Sequence, residues 1–129
     1  MSCRVLVVED ETVIAMLVED LLVQSDCFPV IAATKAEALS SIEQGQPFEL
    51  AVVDLQLPDG SGSAVVAELW KRWPVPVIVN TGYGDVPEDL KDSLAPFPAP
   101  LETIAKPWDV NQFLNLVQQL LPRADARGC

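Results

Sequence analysis

At 129 residues the chain has room for one domain, and with half of its residues hydrophobic and 21% charged it is apolar enough for a packed core rather than a disordered coil. Nineteen acidic residues against eight scattered basic ones give a net charge of −11, which argues against direct nucleic-acid binding and favours a divalent cation or a basic partner. The absence of histidine excludes Ser–His–Asp and Cys–His catalysis, most zinc chemistry and service as a phospho-histidine donor, and Cys3, Cys27 and Cys129 lack the spacing of a disulfide framework or zinc site.

Cys3–Val8 reads as a first strand, and Glu9 interrupts it too soon for a signal peptide. Thr12–Ser25 has helical spacing, with Ile14, Leu17, Val18, Leu21 and Leu22 on one stripe. Val30–Ala33 follows as a strand, Lys35–Gln44 as a helix, Leu50–Val53 as a strand, Ser63–Trp73 as a helix and Val75–Val79 as a strand. Glu88–Leu94 has room for a short helix only, since Pro96, Pro98 and Pro100 cannot continue one. Leu101–Ala105 is the fifth strand. Val110–Leu121 is the last helix, grouping Phe113, Leu114, Val117, Leu120 and Leu121 before Pro122 stops it. No apolar run spans a bilayer, so a cytoplasmic protein without membrane contact is expected.

Such alternation predicts βαβ units in a doubly wound five-stranded parallel sheet, an α/β fold with strand order 2-1-3-4-5. Pro29 and Pro100 then border edge strands, where a missing N–H is tolerated. The domain is expected over residues 1–122, with 123–129 a frayed tail.

In open parallel sheets ligands collect at the carboxyl ends of the strands. The first strand ends at Glu9-Asp10-Glu11 and the third at Asp54, so these acids should converge between adjacent strands. Crowded carboxylates repel and call for a cation; Mg²⁺ suits, because it takes one or two carboxylates, keeps waters and accepts phosphate oxygens. The competing reading is a set of solvated loop acids. The fourth strand ends in Asn80-Thr81-Gly82 and the fifth in Lys106-Pro107, adding a hydroxyl and an ammonium to the same edge. Alone, Thr81 reads as a helix cap and Lys106 as a surface charge; together with the acids they suit a carboxylate acting as nucleophile toward a phosphoryl group.

These residues resemble the receiver domain of response regulators, from Arg4 to about Leu121. The resemblance rests on the acid pair Glu9-Asp10, on the D-x-x-L-P-x-x-x-G run from Asp54 to Gly62, on Thr81 and on Lys106-Pro107. It implies the flavodoxin-like receiver fold. It implies that Asp54 accepts a phosphoryl group from a phospho-histidine on a sensor histidine kinase or phosphotransfer protein. Mg²⁺ would be held by Glu9, Asp10, Asp54 and the Gln56 backbone carbonyl; Lys106 would contact the phosphoryl group, and its bond to Pro107 would be cis. The output would be a phosphorylation-dependent interaction with a downstream protein.

Two departures accompany the resemblance. The family usually has an aromatic residue three positions before the lysine, as rotamer partner of the switch hydroxyl; here it is Thr103. Val79-Asn80-Thr81-Gly82-Tyr83-Gly84 is similar to the Phe-Ala-Thr-Gly-x-Tyr/Gly run of the FAT GUY receiver subgroup with its first two letters changed. That subgroup implies partners of the HWE/HisKA2 kinase class. Thr81, Gly82 and Tyr83 would then form the switch, with backbone reordering of residues 82–100 in place of a ring rotation. Tyr83 also stands where receivers tune the access of water to the phosphoryl group.

Because the sequence stops shortly after the last helix, a stand-alone signalling receiver without an output domain is expected, rather than an enzyme. One alternative is a Mg²⁺ phosphatase with an aspartyl-phosphate intermediate, weakened by Gln56 where a second acid would be needed. Another is a pseudo-receiver that binds partners without phosphorylation. A flavodoxin-like cofactor binder fails because Glu-Asp-Glu follows the first strand where a phosphate loop would be.

Overall fold

Short β-branched runs set between amphipathic segments bury themselves best as inner strands covered on both faces. The computed structural model describes residues 3–81, 92, 94–105 and 109–121, with only the backbone of Thr81. In chain order these form β1 (Cys3–Val8), α1 (Thr12–Gln24), β2 (Cys27–Ala32), α2 (Lys35–Glu43) and β3 (Leu50–Asp54). A small hairpin follows, β4 (Gln56–Leu57) and β5 (Gly60–Ser61), then α3 (Gly62–Arg72), β6 (Val77–Thr81), β7 (Leu101–Ala105) and α4 (Val110–Leu120).

The main sheet is parallel, in the order β2-β1-β3-β6-β7. That is the expected 2-1-3-4-5 order, since the hairpin strands take the numbers four and five. Alternation along each strand sends successive residues to opposite layers. Leu6, Val8, Ala51, Val53, Val77 and Val79 pack against Ala38 and Ile42 of α2 and Val65, Val66 and Leu69 of α3. Val5, Val7, Leu50, Val52, Ile78 and Ile104 pack against Val18, Leu21 and Leu22 of α1 and Phe113 and Val117 of α4.

Besides shifts of one residue at several element ends, four details differ from the sequence reading. β2 starts three residues earlier than expected and contains Pro29, which the outer position of the strand allows. β6 begins after Pro76 rather than at Val75, so Asn80 and Thr81 lie within the strand. Leu17, expected on the buried stripe of α1, is 42% exposed, while Ala15 takes a place in the core. The hairpin β4–β5, between Asp54 and α3, was not anticipated. Of the expected short helix at 88–94 only Asp92 and Leu94 are described, and both are helical. Ala95–Pro100 carry neither helix nor strand, as the proline spacing predicts; Phe97 rests on Trp70 with ring centroids 5.3 Å apart. Among the described residues no helix is long and apolar enough to cross a membrane.

Candidate functional site

β1 and β6 flank β3, and all three point their carboxyl ends to one edge. Because successive residues alternate sides, Glu9, Asp54 and Asn80 fall on the layer shared with α1 and α4. Carboxylate oxygens of Glu9, Asp10 and Asp54 lie within 4.8 Å of one another; Glu9 and Asp54 are buried and Asp10 is exposed. At such a separation each pair of ionised acids repels by about 3–4 kcal/mol in a medium of effective dielectric near 20. A cation reverses the sign of that energy.

Several hydrogen bonds hold the acids in place. The Glu9 backbone N–H donates to Ala32 O at 3.0 Å, fixing the end of β1 against β2. Its carboxylate accepts from Asn80 Nδ2 at 3.3 Å on Oε1 and from the Glu11 N–H at 3.2 Å on Oε2. Asp54 Oδ1 accepts from the Gln56 N–H at 3.0 Å. The donor set is all oxygen, with no sulfur or imidazole, and it fits a hard divalent cation such as Mg²⁺.

The segment after Asp54 is tied down at both ends. The Gly62 N–H donates to Leu55 O at 3.0 Å, and Gly62 lies so close to β3 that a Cβ there would overlap the Asp54 carbonyl oxygen. At the far side Asp59 accepts from the Lys35 N–H at 2.7 Å and the Ala36 N–H at 3.0 Å, capping α2 together with Thr34. These two bonds, the Lys35 one first, hold the Asp59 carboxyl below its ordinary value of 3.8. An open groove of about 180 Å³ runs from Glu9 and Asp10 past Met16 and Glu19 of α1 to Ile31.

The structure therefore brings together Glu9, Asp10 and Asp54, and sets the Gln56 backbone beside the last of them. Thr81 closes β6 in register with Ala105, the residue before Lys106. Its side chain, Gly82, Tyr83, Lys106 and Pro107 lie outside the described residues. Thr103 sits on β7 in register with Val79. Sequence reasoning missed two residues: Asp59 as a helix cap and Asn80 as the partner of Glu9. The second had a visible signal, a carboxamide closing the apolar run Val77-Ile78-Val79.

The response regulator receiver domain family matches residues 5–118. The chain belongs to that family. This receiver domain is 37% identical over 124 residues to the phyllosphere-induced regulator PhyR of Methylorubrum extorquens, a match covering 94% of the chain and 44% of PhyR. It is 30% identical over 119 residues to the response regulator protein PilR of Pseudomonas aeruginosa, covering 92% of the chain and 26% of PilR. The receiver domain thus spans less than half the length of these curated relatives. Among solved structures it is similar to a CheY-like receiver domain protein from Methanospirillum hungatei, with a TM-score of 0.77, 28% identity and 92% and 93% of the two chains covered. It is also similar to the response regulator TrrA of Thermotoga maritima, solved in complex with Mg²⁺ and BeF, with a TM-score of 0.73, 26% identity and 92% and 99% covered. Receiver domains are signalling modules of two-component systems.

Proposed function

We propose that this receiver domain, residues 1–122, accepts a phosphoryl group on Asp54 from a phospho-histidine of a sensor histidine kinase or phosphotransfer protein. The observation that carries the reading is the buried Asp54 carboxylate within 4.8 Å of the oxygens of Glu9 and Asp10. The bond from the Gln56 N–H orients that carboxylate. An Asp54 oxygen attacks phosphorus, the P–N bond breaks, and the imidazole leaves with the bonding pair and takes up a proton. Glu9, Asp10, Asp54 and the Gln56 carbonyl would hold Mg²⁺, which when bound offsets charge on the transferring oxygens. Lys106 would neutralise the same oxygens and Thr81 would hydrogen-bond one of them.

A protein donor is supported by the outer part of α1, where exposed Met16 lines the groove that leads to the acids and Val13 (80% exposed) and Val23 also stand in solvent. The run Val79–Gly84 supports a donor of the HWE/HisKA2 class and a switch at Thr81, Gly82 and Tyr83 that changes binding of a downstream protein. Incubation with acetyl phosphate and Mg²⁺, followed by intact-mass measurement, tests the reading. The wild-type chain should gain one phosphoryl group that Asp54→Asn does not. Equal labelling of the variant would overturn it.

A further inference from the structure

Asn80 lies at the end of β6, in register with Asp54, in a strand whose preceding residues Val77, Ile78 and Val79 are fully buried and apolar. It is itself 2% exposed. Its Nδ2 donates to Glu9 Oε1 at 3.3 Å, across 71 positions of sequence, whereas its Oδ1 is buried and has no hydrogen-bond partner. The orientation of the carboxamide is dictated by charge, since turning it over would set an oxygen against the Glu9 carboxylate. Oδ1 shares a carbon with Nδ2, so the orphaned acceptor also lies beside the acid cluster.

A buried acceptor without a donor is unfavourable, and an apolar side chain would fill the same place at no such cost. In the Phe-Ala-Thr run that this segment resembles, the position is alanine. What Oδ1 lacks is a donor, and Mg²⁺ brings donors with it, because it retains several of its waters when bound by carboxylates. We propose that Asn80 is a positioning residue of the cation site: Nδ2 holds the Glu9 carboxylate in place, and Oδ1 accepts a hydrogen bond from a water in the cation's shell. The inference rests on the reading of Glu9, Asp10 and Asp54 as that site. It adds a neutral group that orients one ligand and recognises the hydrated ion, as groups just behind metal ligands do elsewhere.

The test is Mg²⁺ titration calorimetry on the full chain, together with thermal melts in chelator, for wild type, Asn80→Leu, Asn80→Ala and Asp10→Ala. Asn80→Leu keeps the volume, and Asn80→Ala guards against a packing artefact in Leu. Both should weaken Mg²⁺ binding about tenfold or more. Their midpoints in chelator should not fall, because loss of the Glu9 bond is offset by loss of the orphaned oxygen. If wild type binds Mg²⁺, Asp10→Ala does not, and both Asn80 variants bind as wild type does, the proposal is overturned while the site stands. Lower midpoints in chelator with unchanged Mg²⁺ affinity would make Asn80 structural only, and would overturn it too. If wild type takes up no Mg²⁺, or Asp10→Ala binds equally well, the site reading falls and takes the proposal with it.

Discussion

Asp54 closes β3 and Asp59 lies five positions on, in the turn of the β4–β5 hairpin, yet their carboxylates live in different circumstances. Asp54 is buried and faces two other acids, whose repulsion acts against the bond it accepts from the Gln56 N–H. Asp59 is exposed and accepts two backbone N–H groups at the start of α2, where the helix dipole also favours negative charge. One acid is held by backbone donors; the other sits among like charges that a cation would offset. The contrast separates an acid that builds the frame from acids gathered at a candidate cation site, a distinction that composition cannot make.

The contrast breaks most visibly in covalent chemistry. With acetyl phosphate and Mg²⁺, Asp54→Asn should show no mass gain, whereas Asp59→Asn should still gain one phosphoryl group; labelling lost in both would merge the two roles. Metal dependence comes next. At about 100 times its dissociation constant, Mg²⁺ should raise the stability of wild type by roughly 2.7 kcal/mol, seen as a higher melting midpoint. Asp10→Ala should lose that increment, and Asp59→Asn should keep all of it.

In chelator the signs should part. Asp54→Asn relieves repulsion and should melt above wild type, by about 1 kcal/mol or more of stability. Asp59→Asn turns an NH₂ toward a backbone donor of α2 and should melt below it. The smallest effect is the acid dependence of that second difference. The carboxyl of Asp59 is held below its ordinary value by the Lys35 and Ala36 N–H groups. Its contribution is therefore complete above the unfolded value of 3.8 and is lost as pH falls through the lowered folded one. The stability gap between wild type and Asp59→Asn, measured by denaturant titration, should be open at about pH 5 and close at strongly acid pH. A gap that widened on acidification would remove Asp59 from the frame.

The acids of the site were legible because strand alternation fixes the sheet order, and the order fixes which strand ends are neighbours. Glu9, Asp10 and Asp54 follow from that alone. Leu17 was misplaced for a physical reason: α1 carries apolar residues around most of its circumference, so period 3.6 cannot choose its inner face. The first residues of β2 and the hairpin at 56–61 escaped notice because a strand containing Pro29 and two pairs of residues carry no periodic pattern. Asn80 and Asp59 were opaque in a further sense. Their partners lie 71 positions away for Asn80 and 24 and 23 for Asp59, so their roles exist only once the chain has folded.

Gly62 carries a consequence for how such a domain can drift. Its α-carbon stands where any side chain would collide with the Asp54 carbonyl and press on Val53 Cγ1 at 2.8 Å. Replacing it would prise α3 off the end of β3 and move the backbone of Asp54 itself. A smaller side chain at any of the acids meets no such overlap, whereas any side chain at this glycine does. A chain in which Asp54 took up no phosphoryl group would still need glycine at this point, because the overlap is with backbone. Glycine here is thus a record of the scaffold, and the acids beside it a record of use.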